Sequence, residues 1–231
     1  MAIEIKGKGS PVGDGTIHPN NSLENADIQQ LIFAYKRSVA SKYSGVTEDS
    51  INGDIVPGKY WVSPKIDGQL WFLIAQDGDV VLANPRGRVL SGKLPLLAEA
   101  AKTVGKKTSD CTVIAGELFA IGPRPRVGDI TSLLSENGDV RKIAFSAFDL
   151  LQGGNVETVP EDYGERHAIL EALLDGGKRV KAVTTEVCTN AGEVSALFTK
   201  FAGGTEAKAE GLIARNAQGR IFKIKPQFNI D

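Results

Sequence analysis

The sequence predicts an α+β domain in which short antiparallel strands carry flanking helices. Three observations lead there: short runs rich in apolar and β-branched residues, tight-turn dipeptides joining neighbouring runs, and segments whose apolar residues recur at helical spacing.

Taken in chain order, residues 7–22 are rich in Gly, Pro, Asn and Ser and read as a surface segment. A helix follows. Ser22 is placed to cap it, and Ile28, Leu31, Ile32 and Tyr35 fall at i, i+3, i+4 and i+7, a single apolar stripe. Strand-like runs come next at 60–62, 70–75, 80–83, 112–114 and 143–148. Asp77-Gly78 is a hairpin signal between the second and third of these, and Gln218-Gly219 is another just before a last run at 221–224. Helical spacing returns in Ile169, Leu170, Leu173 and Leu174, closed by Gly176-Gly177, and in Val194, Leu197, Phe198 and Phe201, closed by Gly203. One domain over 1–231 is expected, with an N-terminal extension carrying one helix at 1–50 and a core at 58–226.

Composition narrows the function classes. The 27 basic and 28 acidic residues nearly cancel, so bulk positive charge cannot drive nucleic-acid binding and any such contact must be a local patch. Cys111 and Cys188 lie far apart with no CxxC pair, which argues against a disulfide framework or a structural zinc and fits a reducing, cytoplasmic compartment. The strongest apolar run, Trp71 to Ala75, is too short for a membrane span, and no signal peptide is visible. There is no GxxxxGK[ST] loop and no GxGxxG, and His18 and His167 are far apart in sequence.

The sharpest local feature is Lys65-Ile66-Asp67-Gly68, where one strand run ends and another begins. Rigid backbone on both sides would anchor the lysine, and the glycine would let a bulky ligand approach the main chain. Further short motifs follow in order: Arg86-Gly87-Arg88, Gly116-Glu117-Leu118-Phe119, Phe148-Asp149-Leu150-Leu151, Glu210-Gly211-Leu212-Ile213 and Phe222-Lys223-Ile224-Lys225-Pro226. In the last of these, period-two alternation puts both ammonium groups on one face of a strand.

This ordered set resembles the polynucleotide ligase superfamily of ATP-dependent DNA ligases, RNA ligases and mRNA capping enzymes, over roughly residues 58–226. The resemblance implies an ATP-grasp-like nucleotidyltransferase fold that forms a lysyl-AMP intermediate, with Lys65 attacking the α-phosphorus of ATP and expelling pyrophosphate. Lys223, Lys225 and a bound Mg²⁺ (or Mn²⁺) would disfavour the charged form of the nucleophile and stabilise the phosphate. It implies that Asp67 and Gly68 border the nucleotide, Glu117 holds the ribose hydroxyls, Phe148 stacks on adenine and Glu210 positions the metal. A core position is the alternative for Phe148, which lies in an apolar run. Arg86 and Arg88 occupy the slot of a basic motif that touches the nucleotide or the 5′-phosphate strand. Which of them corresponds is open, and Arg124 and Arg126 would extend the local basic patch.

The implied activity is nick sealing by a monomeric ligase, as in DNA repair, on nicked duplex DNA ahead of RNA. Leu70, where many DNA ligases carry Arg, looks more like some RNA ligases; a capping-type enzyme ranks lower, and a non-catalytic nucleotide-binding module is the alternative from another class. The sequence ends five residues after Pro226, leaving no room for the OB-fold that ordinarily follows. The expectation is a truncated or minimal enzyme with no OB-fold, served by a separate protein or domain in its place.

Overall fold

A computed structural model describes residues 3–122, 126–202 and 209–226. The chain builds two compact units. The first comprises 1–36, 68–161 and 165–182, and the second 37–67, 162–164 and 183–231.

The first unit holds an eight-stranded sheet. Its strands are β1 (Ser10–Val12), β2 (Gly15–Ile17), β5 (Gln69–Gln76), β6 (Asp79–Ala83), β7 (Val89–Gly92), β8 (Thr112–Ala120), β9 (Ile143–Gln152) and β10 (Val180–Ala182), in the order β1-β2-β7-β6-β5-β8-β9-β10. The Asp77-Gly78 turn joins β5 to β6 as expected, pairing Gln76 with Asp79. Both loop residues have positive φ, at 52° and 87°, the backbone of a two-residue hairpin whose twist matches its strands.

Apolar residues line both faces of this sheet. On one face Trp71, Leu73, Leu118 and Phe145 meet Leu96 and Leu97 of helix α3 (Pro95–Ala100) and Leu170 and Leu173 of helix α5 (Tyr163–Leu174). On the other, Phe72, Ile74, Val113 and Ala115 meet Ile28 and Ile32 of helix α1 (Ala26–Ser41). Burial on both faces explains why β5 reads as an unbroken apolar run rather than an alternating one. The stripe of α1 was legible, but its cap was not. The helix begins at Ala26, so Ser22 lies outside it, buried, with its amide donating to Gly87 O at 2.9 Å.

Glu99 of α3 ties this layer down. One of its carboxylate oxygens accepts from the backbone amides of Lys178 and Arg179 at 2.7 Å and Val180 at 2.9 Å, fixing the start of β10.

The second unit is a five-stranded sheet of β3 (Tyr43–Thr47), β4 (Tyr60–Lys65), β11 (Glu186–Cys188), β12 (Gly211–Asn216) and β13 (Ile221–Lys225), ordered β11-β4-β12-β13-β3. Tyr60, Val62, Leu212, Ala214, Phe222 and Ile224 alternate onto one face. There they pack against Ile51 of helix α2 (Ile51–Asp54) and Val194, Leu197 and Phe198 of helix α6 (Ala191–Ala202). The intervening residues, Lys65, Lys223 and Lys225 among them, therefore belong to the opposite face.

The antiparallel expectation holds for most pairs, with two exceptions. β10 lies parallel to β9, and β3 parallel to β13. Helix α4 (Val127–Leu133) and short helical turns at Glu48–Ser50, Ala101–Gly105 and Val140–Lys142 complete the elements among the described residues.

Candidate active site

Lys65 ends β4, and its register partner on β12 is Gly211. Glu210, one residue before β12, donates its backbone N–H to Lys65 O at 2.9 Å. This backbone bond brings two side chains 145 positions apart into contact: Lys65 Nζ donates to Glu210 Oε2. Lys225, ending β13, places its Nζ 2.8 Å from Glu210 Oε1. Gly211 permits the arrangement, since a Cβ there would collide with the Ile224 carbonyl of β13.

The result is one carboxylate bridging two ammonium groups, with side chains 20%, 27% and 25% exposed for Lys65, Glu210 and Lys225. Burial, the largest single influence, pushes the Glu210 carboxyl up. Hydrogen bonds and charge from Lys225 and Lys65 together overcome it, and the carboxyl settles below its ordinary value. Lys223 lies two residues before Lys225 on β13, and its ammonium stands 3.6 Å from the centre of the Tyr43 ring of β3, a cation–π contact. Sequence reasoning assigned no part to Tyr43; its strand pairs parallel with β13, a pairing that no turn signal announces.

Three cations on one face suit polyphosphate, and the net positive charge left after Glu210 is neutralised favours such a ligand. Among the described residues, no group of three or more His, Cys, Asp or Glu is placed to hold a metal ion. Among the described residues, a divalent cation at Glu210 would thus have at most two such protein ligands. That fits Mg²⁺, which is commonly held by one or two carboxylates and substrate phosphates rather than by an all-protein cage.

Asp67 lies half-buried in the turn between β4 and β5. Gly68 and Glu117 meet in the first unit. Gln69 and Leu70 pair with Leu118 and Glu117, and a Cβ at position 68 would stand 2.5 Å from Leu118 O and 2.7 Å from Glu117 Cγ. The glycine is required by this close approach to β8.

Phe148 sits at a β-bulge. Ala115 pairs with Asp149 but Gly116 with Ala147, so the register jumps at Phe148. The half-buried ring packs against the cluster shared with α1. Its neighbour Asp149, buried at 8% exposure, bonds Tyr35 and Arg166, a network that the sequence reading missed. The sequence pattern places Tyr35 only on the apolar stripe of α1.

Arg86 and Arg88 differ in setting. Their amides donate to Asn84 Oδ1 at 2.9 and 3.0 Å, closing a tight turn in which Arg86 is exposed and Arg88 half-buried. Arg86 borders a cleft of about 590 Å³ shared with Asn21, Gln29 and Phe33. Arg126 is exposed before α4, while Arg124 lies outside the described residues.

The family described as "ATP dependent DNA ligase domain" matches residues 27–225. The chain belongs to this ligase-domain family. Solved ligases share the fold of the ligase domain. Pmar-Lig_Pre is 14% identical with a TM-score of 0.60, covering 80% of this chain and 46% of its own. The ligase domain of M. tuberculosis LigD is 18% identical with a TM-score of 0.55, covering 79% and 58%. A mycobacterial DNA ligase D complexed with ATP and MES is 18% identical with a TM-score of 0.53, covering 72% and 54%. The ligase domain thus spans about half the length of the solved structures it matches. No curated protein matches it. No helix among its described residues is long and apolar enough to cross a membrane.

Proposed function

We propose that the chain is an ATP-dependent adenylyltransferase in which Lys65 takes AMP from ATP and passes it to the 5′-phosphate of a nicked duplex DNA, for sealing by the adjacent 3′-hydroxyl. The observation that carries this reading is the convergence of Lys65 at the end of β4, Glu210 just before β12 and Lys225 at the end of β13.

In the first step the Lys65 amine attacks the α-phosphorus, the bond to the bridging oxygen breaks, and pyrophosphate leaves. Lys225 and Lys223 offer fixed charge to the phosphates as negative charge moves onto the leaving group. Because the Lys65 ammonium rests on Glu210, it must leave that carboxylate and lose a proton before attacking. Mg²⁺ or Mn²⁺ bound at Glu210 and the phosphates would supply Lewis-acid charge. Glu117 is suited to accept from the ribose hydroxyls, and the Phe148 ring to face the adenine, with Asp67 and Gly68 bordering the nucleotide and Arg86 reaching a phosphate. The near-balanced charge and the two free thiols fit a soluble protein of a reducing, cytoplasmic compartment.

The test is covalent labelling. Incubation with Mg²⁺ and α-labelled ATP should leave radiolabel on the wild type and none on Lys65→Ala. Preferential labelling by GTP would point to a capping-type enzyme, and no label from either nucleotide to a binding module. RNA ligation is the second reading, favoured by Leu70, which packs against the α1 cluster where many DNA ligases carry Arg. Sealing of nicked DNA, nicked RNA and single-stranded RNA at one stated salt concentration separates the two, and preference for RNA ends would replace the DNA reading.

A further inference from the structure

The Asp149 carboxylate is engaged at both oxygens, yet no step of the proposed reaction uses it. Oδ2 accepts from the Tyr35 hydroxyl of α1 at 3.1 Å, and Oδ1 from Arg166 Nε of α5 at 2.6 Å. Arg166 is itself fixed, with Nη1 donating to Pro160 O at 2.9 Å and Glu161 O at 2.7 Å. The Asp149 and Arg166 side chains are only 12% and 19% exposed. An ion pair this buried adds little net stability, because desolvation offsets much of the Coulombic attraction. What it does provide is a fixed geometry.

That geometry is imposed one residue beyond the bulge at Phe148. Bulges bend a strand and re-aim a side chain, and the ladder is locally interrupted there, so neighbouring contacts must set the direction. We infer that Asp149 is a positioning residue: by clamping β9 to α1 and α5 beside the bulge, it holds the Phe148 ring in the orientation that stacks on adenine. The inference rests on the proposed function, in which that ring meets the base.

The test is a double-mutant cycle on the full chain, with Lys65 labelling rates measured against ATP concentration and thermal midpoints recorded for every variant. Asp149→Asn keeps the side-chain volume but removes the charge. It should raise the KM for ATP about tenfold, with kcat changed by no more than about twofold, since it acts through nucleotide binding. Phe148→Leu should raise KM at least as much, and the double variant should be no worse than Phe148→Leu alone. Tyr35→Phe keeps the ring that packs edge-on against Phe72 at 5.9 Å and should raise KM by a smaller factor. Effects of Asp149→Asn and Phe148→Leu that multiply in the double variant would overturn the inference, as would a lower midpoint with unchanged KM. If Asp149→Asn does not fold, the same cycle is run with Tyr35→Phe, and multiplication there overturns it equally. Failure of the proposed function is separately visible: wild type unlabelled at every ATP concentration removes the reaction, and wild-type KM in Phe148→Leu removes the ring's adenine role. Either would take this inference with it.

Discussion

Glu210 donates its backbone amide to the Lys65 carbonyl and accepts the Lys65 ammonium with its carboxylate, so the same two residues are joined through both main chain and side chain. The backbone bond fixes the strand ends, and the carboxylate then stands between Lys65 and Lys225.

Acid should dissolve this bridge. The Glu210 carboxyl titrates below its ordinary value of 4.5, so its contribution to stability is present above 4.5 and is lost as pH falls through the lower, folded-state value. Glu210→Gln should be less stable than wild type at neutral pH by on the order of 1 kcal/mol, the scale of a partly exposed pair. The gap should close on acidification. Urea midpoints of the two proteins across that range provide the measurement, and a gap independent of pH would show that the bridge contributes nothing through charge.

Metal dependence should separate the carboxylate from the lysines. Glu210→Ala should slow Lys65 labelling, with part of the loss recovered by raising Mg²⁺ or substituting Mn²⁺, because the missing group is a hard oxygen ligand. Lys225→Ala and Lys223→Ala should lose about 10²- to 10³-fold, as when a preorganised donor to developing charge is removed, and neither should respond to metal. Equal rescue of all three variants would contradict these roles.

Much of this arrangement was legible in the sequence, and what was not has identifiable causes. Helix α5 occupies Tyr163–Leu174, where its stripe and the Gly176-Gly177 stop put it, and the β5–β6 hairpin follows from Asp77-Gly78. Strand β8 runs on to Ala120 rather than ending at 114, because ladder bonds to β5 continue past Gly116-Glu117, where the apolar pattern breaks. The three-residue strands β1, β2, β10 and β11 are too short to show any period. At the site, the motifs single out Lys65 and Glu210, and the structure brings these two side chains into contact. Their pairing is tertiary, however, and depends on strands brought together across long stretches of chain. The Tyr35–Asp149 bond was hidden for a related reason: a tyrosine in an apolar stripe reads as core until its hydroxyl is seen to reach a partner.

Alkaline conditions probe the second unit independently of the site. Cys188 is buried on β11, and burial first, then the charges of Glu193 and Glu186, pushes its thiol up to about 11. The unfolded chain ionises near the ordinary value of 9.0, so stability is whole below that pH and falls as pH climbs toward about 11. Cys188→Ala should flatten that decline, and in wild type a thiol reagent at mildly alkaline pH should modify the half-exposed Cys111 well before Cys188. Equal reaction rates at the two thiols would mean that β11 opens readily.

Gly68 offers a test of how tightly the end of the lysine motif is built. A methyl group there must displace either the Leu118 carbonyl, 2.5 Å away, or Glu117 Cγ, 2.7 Å away. The carbonyl belongs to the main chain of β8, in the sheet interior between β5 and β9, so the Glu117 side chain gives way more easily. Gly68→Ala should therefore cost about 1–3 kcal/mol, the usual range for overpacking. Its second effect should be on nucleotide binding, raising the KM for ATP in Lys65 labelling in the same sense as Glu117→Ala. Because both substitutions act on one side chain, combining them should give less than the product of their separate effects. A Gly68→Ala protein with wild-type KM and a lowered urea midpoint would show that the glycine serves strand packing alone and that Glu117 does not hold the ribose.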